Sequence, residues 1–426
     1  RGKPQVYKDK GMVINHSQMC VSPSTKILTS NGYEIISELE GEKIEVWNGE
    51  EFTKTVVKKT GENQTLFNVK TDNGFELDCT SEHKWYIVDE TKCRSNIKYN
   101  EVRTHELKEG DKLIKFNLPV IEGGNKLKYS YTQGFFSGDG CIPNDNKHLT
   151  NSLYLYGEKK KLLPYIDVRN KYTQTGRASK ITNEKAIIFD KLNDRISCFV
   201  PEDIIADKTF VPNSSYSIKS RLEWLAGFLD ADGTVTRNKD SQTIQAASVD
   251  RGFLLKIQLM LQTLGCESRV STMREEDMHL LPANNGTGLS KAYKCKAVYR
   301  LLINSNSLYN LTELGLVCHR LRWDKIKPNR KCSQFVKIKS VNELPDLYDT
   351  FCFTESKRHM GMFNGILTGQ CTEIIEYTDA EKTFVCCISS INALHLDEII
   401  ETDAIETMTY FLDAVYTEFI EKAKDL

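Results

Sequence analysis

Short apolar runs broken by turn residues fill residues 20 to 120. Asn-Gly pairs at 31–32, 48–49 and 73–74 separate these runs. Asn-Gly is a preferred pair in tight hairpin turns, so the segment is predicted to be an all-β domain. The pattern returns in residues 335 to 370 with the runs VKIKSV, LYDTFCF and FNGILTG. We expect these strands to complete the first domain, since a compact domain tolerates an insertion where its chain ends lie close together.

Two related stretches between these segments predict a pair of packed helices. They read TQGFFSGDG at residues 132–140 and LAGFLDADG at residues 225–233. Small residues recur four apart in each stretch, as Gly134 and Gly138 do in the first, and this spacing gives a helix one smooth face. Two such faces can approach more closely than helices that carry large side chains there. The stretches therefore predict two copies of one small module.

Each stretch contains an aspartate before its last glycine, and these residues, Asp139 and Asp232, lie 93 positions apart. Each aspartate falls at a predicted helix C-terminus, before a glycine that would cap the helix. The negative end of the helix dipole makes this an unfavourable place for an anion. Two carboxylates held together there suggest a divalent metal site, with Mg²⁺ as the metal and phosphodiester hydrolysis as its chemistry.

The net charge of −1 conceals a division along the chain. Residues 121 to 334 hold 32 Lys+Arg against 22 Asp+Glu, whereas the remainder holds 25 against 36. A basic middle segment fits a nucleic-acid surface, because neutralising phosphates releases counterions. Lysines that only contact water would give the same count.

The composition, with 40% hydrophobic and 27% charged residues, is ordinary for a globular protein. The 13 cysteines include no CxxC pair, which argues against a disulfide framework and against a structural zinc site. Any special cysteine is therefore expected to be reactive. The sequence contains no apolar run of 18 residues and no signal-peptide pattern, so we expect an intracellular, cytoplasmic protein with no membrane partner.

The stretch 225–233 resembles the motif of the LAGLIDADG homing endonucleases almost letter for letter, and 132–140 resembles it in a degraded form. The resemblance implies an α+β domain of two pseudo-symmetric αββαββα repeats, whose antiparallel sheets lie along the DNA major groove. It also implies a monomer that cleaves both strands of a long asymmetric site in double-stranded DNA, with Asp139 and Asp232 as catalytic ligands of Mg²⁺. Ser137 departs from the first aspartate of the motif, a position that is not a metal ligand.

A lysine is the other catalytic element that this resemblance implies. DKTFVP at 207–212 looks like the Lys-x-x-x-Pro element of the family, in which Lys208 would support the water at the metal. Lys325 or Lys327 in DKIKP is a weaker counterpart in the second repeat. Contact with DNA phosphate alone is an equal alternative for these lysines.

Two cysteines suggest acyl-transfer chemistry on the chain itself. Cys20 could attack the carbonyl of the residue before it and convert an amide into a thioester, with His83 and the nearby Thr80 helping to protonate the nitrogen. Cys371 could then take the acyl group by thioester exchange. The side-chain amide of Gln370 could cyclise onto its own carbonyl and cut the chain before Cys371.

Two further residues, His359 and Asp349, would support these steps by acid–base catalysis and by activating the thiols. The ordered set from Cys20 to Cys371 resembles an intein, a self-splicing protein insertion whose Hint domain is an all-β horseshoe. The resemblance implies excision of residues 20–370 and ligation of the flanks, with no cofactor for splicing.

The intein resemblance divides the chain into five segments: 1–19 before the intein, 20–120 and 335–370 as the interrupted Hint domain, 121–334 as the inserted endonuclease, and 371–426 after the intein. Gly369 stands where the family usually has a histidine, and Gln370 stands where it usually has an asparagine. Glutamine must close a six-membered ring instead of a five-membered one. We therefore expect cleavage before Cys371 to be slower than in the family.

The flanking sequences NHSQM and CTEIIEYTDAEKTFVCC, once joined, resemble the large subunit of ribonucleotide reductase around its active-site Cys-x-Glu. The resemblance implies Cys371 as the thiyl-radical cysteine, Glu373 as its acid–base partner and Cys386 as one of a redox pair. Gln18 departs from the asparagine that is common in that family. The 19 and 56 flanking residues are expected to be too few for a reductase, and the apolar spacing of the tail predicts an amphipathic helix.

Three alternatives stay open. A cleavage-only module of the hedgehog type would share the β fold, but it would not need Cys371. A DNA-binding protein with a relic nuclease fold is the second, and the intact Asp139 and Asp232 weigh against it. The third is a splicing-impaired intein precursor, which the presence of both flanks in one chain suggests.

Overall fold

The chain forms two units, and the larger contains residues 21–369. The computed structural model describes residues 21–89, 99–142, 151–169, 172–175, 180–183, 187–190, 194–238, 241–282, 290–328, 335–369, 399 and 402–424. None of the helices in these ranges is long and apolar enough to cross a membrane.

The first part of the chain is a series of antiparallel strands, as the turn pattern predicts. Its eight strands, with short 3-10 helices at Ile36–Leu39 and Thr104–Glu106, are β1 Lys26–Thr29, β2 Gly32–Ile35, β3 Lys43–Trp47, β4 Phe52–Thr71, β5 Glu76–Cys79, β6 Lys84–Val88, β7 Tyr99–Arg103 and β8 Lys112–Ile114.

Each Asn-Gly pair lies at a hairpin connection, and each of the three glycines has a positive φ. Of these three connections, the one between β1 and β2 is a two-residue turn, with Thr29 opposite Gly32. The last paired residue of β3 faces Phe52, and Lys70 of β4 faces Glu76, so the other two connections are longer. The sequence therefore located the turns correctly, whereas strand pairing decided their lengths.

The central segment contains helices and a second set of strands. They are α1 Ser130–Asp139, β9 Gly140–Cys141, β10 Ser152–Tyr156, β11 Tyr172–Thr175, β12 Lys180–Asn183, β13 Ile187–Asp190, β14 Arg195–Phe199, α2 Ile218–Asp232, β15 Gly233–Asn238, β16 Ser241–Ser248, α3 Arg251–Gln262, β17 Ser268–Arg274, β18 Asp277–Pro282, β19 Ser290–Cys295, β20 Val298–Ile303 and α4 Ser305–Glu313.

Two four-stranded sheets of this segment have the same strand order. The first runs β9-β10-β14-β13 and the second runs β15-β16-β20-β17, and all their pairs are antiparallel. The second repeat is αββαββα with an added ribbon, β18–β19. The first departs from the predicted αββαββα pattern, because a 3-10 helix over Gly157–Tyr165 takes the place of its middle α-helix and no final helix lies between β14 and α2, a range that the structure describes throughout. Pro164 lies inside the 3-10 helix and removes one backbone donor, which disfavours an α-helix there.

The last part of the larger unit returns to the first sheet with three strands, β21 Phe335–Phe353, β22 Met360–Phe363 and β23 Ile366–Gly369. The sheet order is β23-β22-β1-β3-β4-β21-β8-β6-β7, with β2 on β1 and β5 on β4. The long strands β4 and β21 pair with several register shifts, which let a sheet bend. Phe335 faces Ile114, so the strands that enter and leave the central segment are neighbours. The architecture is an all-β domain interrupted by an α+β domain.

Each part has its own core. Val69, Trp85, Phe353 and other buried side chains fill the β-domain, and separate clusters lie beneath the two sheets of the central segment. Leu255 of α3 packs against both the β-domain core and that of the second repeat. In the smaller unit, the tail forms the predicted helix, α5 Ala404–Lys424.

Candidate functional sites

Val21, the first described residue after the predicted junction at Cys20, lies between two strands of the β-domain. Cys20, Gln370 and Cys371 lie outside the described residues, as do Glu373 and Cys386. Val21, the neighbour of Cys20, forms β-bridges to Phe351 and to Cys79. Its backbone N–H donates to the Phe351 carbonyl at 3.2 Å, and its carbonyl accepts from the Phe351 N–H at 3.1 Å. This junction therefore enters the domain beside the residue that precedes Thr80.

A tight turn at residues 80–83 contacts the strand that leads to the second junction. Thr80 and His83 belong to one tight turn, in which the His83 N–H donates to the Thr80 carbonyl at 3.1 Å. His83 Nε2 lies 2.8 Å from Thr368 Oγ1. Thr368 is in β23, two positions before Gln370. Residues 79–83 thus contact the chain close to both predicted junctions, Cys79 near the first and His83 near the second.

The His83 imidazole is completely buried. Its ring meets Trp85 and Phe363 edge to face, each with ring centroids 5.7 Å apart. Burial, and then the positive charge of Arg103, lower the pKa of His83 to about 3. The ring is therefore neutral at physiological pH, with one N–H to donate and one nitrogen to accept.

Of the other two predicted splicing residues, Asp349 lies in β21 and His359 lies immediately before β22. Asp349 in β21 is two positions from Phe351 and forms an ion pair with Lys59 at 2.7 Å. The hydrogen bond to Asp349, and then one to Glu62, raise the pKa of Lys59. His359 is exposed, has a φ of 55°, and precedes Met360, which pairs with Gly369 at the end of β23.

Helices α1 and α2 pack backbone against backbone, and this confirms the prediction from their small residues. A Cβ atom on Gly134 would lie 1.8 Å from the Trp224 carbonyl oxygen. A Cβ atom on Gly227 would lie 2.0 Å from the Tyr131 carbonyl oxygen. Both positions exclude a side chain at this helix separation, so the two repeats meet along this face.

Gly140 and Gly233 cap the two helices as predicted, and their N–H groups donate to the Phe136 and Leu229 carbonyls, but neither adopts the left-handed conformation that is common for a capping glycine. Gly140 and Gly233 have φ of −64° and −82°, and the chain passes from each helix directly into an extended strand. Both positions need glycine because there is no space for a side chain. A Cβ atom on Gly140 would lie 2.2 Å from the Phe136 carbonyl oxygen, and one on Gly233 would lie 2.4 Å from the Leu229 carbonyl oxygen.

The two aspartates at the ends of these helices are close enough for their charges to interact. Burial, and then the charge of Asp139, raise the pKa of Asp232, while the positive charges of Lys159, Lys208 and Arg320 oppose that rise. Lys159 Nζ lies 2.6 Å from Asp139 Oδ2, and both side chains are largely shielded from solvent. The cluster is a pair of carboxylates surrounded by cations.

The structure distinguishes among the predicted lysines. Lys208 lies near enough to Asp232 to act on its charge. Lys325 forms an ion pair with Glu313 at the end of α4, and Lys327 is exposed. Within the described ranges, no group of three or more His, Cys, Asp and Glu side chains could hold a metal ion. The protein groups available to a metal ion at this cluster are therefore the carboxylates of Asp139 and Asp232.

A family model for the LAGLIDADG-like domain matches residues 219–314. The chain is also 42% identical over 427 residues to the ribonucleoside-diphosphate reductase large subunit of Invertebrate iridescent virus 6. That match covers 98% of this chain, so it includes almost all of residues 20–370 as well as flanking sequence. These two matches support the interpretation of the chain as an intein with a LAGLIDADG-like insertion, flanked by ribonucleotide reductase sequence.

A second relative is the ribonucleoside-diphosphate reductase NrdEB subunit alpha of Bacillus subtilis, 26% identical over 446 residues and 90% of this chain. The chain spans 42% and 40% of the lengths of these two relatives. Among solved structures, the Ssp DnaB mini-intein variant M86 is 10% identical, with a TM-score of 0.30, over 85% of this chain and all of that one. The N-terminal LAGLIDADG domain of DUF199/WhiA is 14% identical, with a TM-score of 0.25, over 44% and 82% of the two chains.

The structure gives a reason for the absence of a histidine at position 369. A Cβ atom on Gly369 would lie 2.6 Å from Lys84 Cβ and 3.0 Å from the Tyr86 hydroxyl oxygen. Lys84 Cβ is fixed to its strand and cannot swing away as the end of a long side chain would. A histidine at 369 is therefore excluded unless β23 moves away from β6.

Sequence reasoning missed two residues of the LAGLIDADG-like domain. Asp230, the first aspartate of the motif, is fully buried and accepts backbone N–H groups from His319, Arg320 and Leu321. Its presence in the motif was the available signal. Lys159, which pairs with Asp139, lies outside both motifs and has no local signal in the sequence.

Proposed function

We propose that this chain is a self-splicing intein precursor that excises residues 20–370. The Cys20 sulfur attacks the Met19 carbonyl carbon, the amide bond between them breaks, and its nitrogen takes a proton. The Cys371 sulfur then takes the acyl group from Cys20. The side-chain nitrogen of Gln370 attacks its own main-chain carbonyl, which breaks the bond to the Cys371 nitrogen. That nitrogen takes a proton, and the freed amine displaces the thioester sulfur to join Met19 and Cys371 by an amide.

One observation carries this proposal: residues 79–83 contact the chain close to both junctions. Val21 is bridged to Cys79, next to Thr80, and Thr368 contacts the His83 ring at 2.8 Å. Acyl transfer between two parts of one chain gains most of its rate from such proximity. A neutral His83 suits the first step, because it can donate a hydrogen bond to the Cys20 nitrogen once thiol attack has made the carbonyl carbon tetrahedral and that nitrogen basic, without carrying a buried charge.

Intact mass spectrometry of freshly prepared protein, incubated near neutral pH with and without a thiol, tests splicing. We expect the excised residues 20–370 and a ligated product of the two flanks. Gln370→Ala should stop release of the tail and still allow thiol to free residues 1–19. His83→Ala should slow that thiol reaction, whereas replacing the exposed His105 should not. One unchanged mass under all conditions would contradict splicing.

For the insertion we propose Mg²⁺-dependent cleavage of double-stranded DNA, at a target site in a copy of the host gene that lacks the intein. Asp139 and Asp232 fit a shared divalent cation, because one carboxylate raises the pKa of the other and a cation would relieve that repulsion. Water and phosphate oxygens must complete its coordination. Bound Mg²⁺ would stabilise the charge that develops on the phosphate. Lys208 is positioned to influence Asp232, and the net positive segment supports contact with phosphates.

A second candidate is a DNA-binding domain without cleavage, and the Lys159–Asp139 ion pair favours it, since an ammonium group occupies one carboxylate oxygen. A nicking assay on supercoiled plasmid that carries the intein-less host sequence separates the two. Cleavage with Mg²⁺ and none with EDTA supports the nuclease, and Asp139→Asn is its control. Retention of the plasmid on a gel without cleavage supports binding alone.

A further inference from the structure

Helix α3 belongs to the second endonuclease repeat, yet its side chains hold loops of the β-domain. At its start, Arg251 contacts Glu76 at 2.8 Å and donates to the Gly74 carbonyl at 2.7 Å. In its middle, Gln258 Nε2 donates to the Asn73 carbonyl at 3.0 Å. The helix is therefore attached to the turn between β4 and β5 through several polar contacts.

The same helix also packs its apolar side on the β-domain. Leu255 and Leu259 contact the β-domain core, which includes Phe75 and Ile366. These contacts remove apolar surface from water, so the docking of α3 rests on burial as well as on hydrogen bonds. The helix is consequently a fixed support for the loops that it touches.

The last residue of α3 reaches the strand pair that leads to the second junction. Gln262 is buried, and its Nε2 donates to the Gly365 carbonyl oxygen at 2.9 Å. Its Oε1 accepts a hydrogen bond from the Tyr33 hydroxyl of β2. Burial raises the pKa of Tyr33 well above its usual value, so the hydroxyl keeps its proton and remains a donor. The amide is thus oriented at both ends.

Gly365 lies in the turn that sets the position of β23. Asn364 and Gly365 have φ of 45° and 81°, which form the two-residue connection between β22 and β23. The Asn364 side chain accepts from the Lys26 N–H at 2.8 Å and donates to the Glu76 carbonyl at 3.1 Å. Gln262 supplies a further anchor, and it comes from the insertion.

We propose that Gln262 is a positioning residue for cleavage before Cys371, so that the endonuclease insertion supports one step of splicing. The inference rests on the proposed splicing function. Strand β23 extends only from Ile366 to Gly369, and Gln370 follows it directly. Because β23 is so short, any shift of the turn at Asn364 and Gly365 also moves the end of the strand. Cyclisation of a glutamine needs its side chain aligned with its own carbonyl, and small displacements reduce the rate of such reactions strongly.

The test compares two reactions of the whole chain in Gln262→Ala and Gln262→Glu. We expect release of residues 371–426 to slow by about 5- to 10-fold, the effect of one lost buried hydrogen bond. Release of residues 1–19 by thiol should stay within about twofold of the parent, because that junction is held through Val21 instead. The glutamate variant keeps the shape and the Tyr33 contact but cannot donate to Gly365 when ionised.

Gln242→Ala is the matched control, since Gln242 bonds to Asp324 inside the same repeat. If Gln262→Ala does not fold, Tyr33→Phe removes one partner of the amide and keeps the ring. Parental rates of tail release in Gln262→Ala and Gln262→Glu would overturn the positioning role alone. Equal slowing of both reactions would overturn it as well, since general destabilisation predicts that result. A parent that never releases residues 371–426 would remove the proposed function and this inference with it.

Discussion

The burial of His83 predicts a loss of stability in mild acid. The ring has a pKa of about 3 in the folded protein, compared with the ordinary value of 6.5. A histidine with a lowered folded-state pKa binds fewer protons folded than unfolded, so stability falls as the pH drops below 6.5 and continues to fall until about 3. The full stabilisation from this group is present only above 6.5.

The size of the effect follows from the two pKa values. At pH 5 the unfolded histidine is mostly protonated, whereas the folded one is still neutral. The difference in free energy of unfolding between pH 7 and pH 5 that is due to His83 is then about 2 kcal/mol. This is large against the total stability of an ordinary domain, about 5 to 15 kcal/mol.

Two measurements check this prediction in a Cys20→Ala, Gln370→Ala background, which prevents cleavage during the experiment. Urea unfolding, followed by the fluorescence of the buried Trp85 and its three tryptophan companions, gives the stability at pH 7 and pH 5. We expect His83→Asn to be less stable at pH 7 but to lose about 2 kcal/mol less than the parent on acidification.

Direct titration of the His83 ring by NMR gives the second measurement. The ring signals of the folded protein should not move between pH 8 and pH 5. A midpoint near 6.5, or the same acid sensitivity in His83→Asn as in the parent, would refute the argument that burial keeps this ring neutral.

Three other substitutions have defined outcomes. Gly134→Ala should destabilise the insertion by about 1 to 3 kcal/mol, because its Cβ would lie 1.8 Å from the Trp224 carbonyl oxygen, and thermal unfolding measures this; an unchanged transition would contradict it. Gly369→His should slow release of the tail by about tenfold, because overlap with Lys84 displaces β23. Mass spectrometry over time measures the rate, and faster release would show that Lys84 moves aside without displacing β23. Asp139→Asn should reduce Mg²⁺-dependent DNA cleavage by about 100-fold or more while DNA binding, followed by gel shift, is retained; comparable cleavage would exclude Asp139 as a metal ligand.

The sequence by itself determined the features that depend on local chemistry. Small residues four apart indicated two helices that could pack closely, and Gly134 and Gly227 have that role. Asn-Gly pairs marked the hairpin connections because asparagine and glycine accept positive φ. The two copies of the aspartate motif indicated an internal repeat, and the sheets of the two repeats have the same strand order. These signals are readable because each depends on a few neighbouring residues.

Only the tertiary structure decided which distant residues share an environment. Thr368 meets His83 across 285 positions, and Lys84 fills the space that a side chain at 369 would need. Lys159 is paired with Asp139, and Gln262 of the insertion holds a turn of the β-domain. Such contacts leave no periodic or motif signal, because they depend on how a twisted sheet and two helices are packed. Burial and the charges nearby then set the protonation of His83 and Asp232, so the state of these groups is a property of the fold.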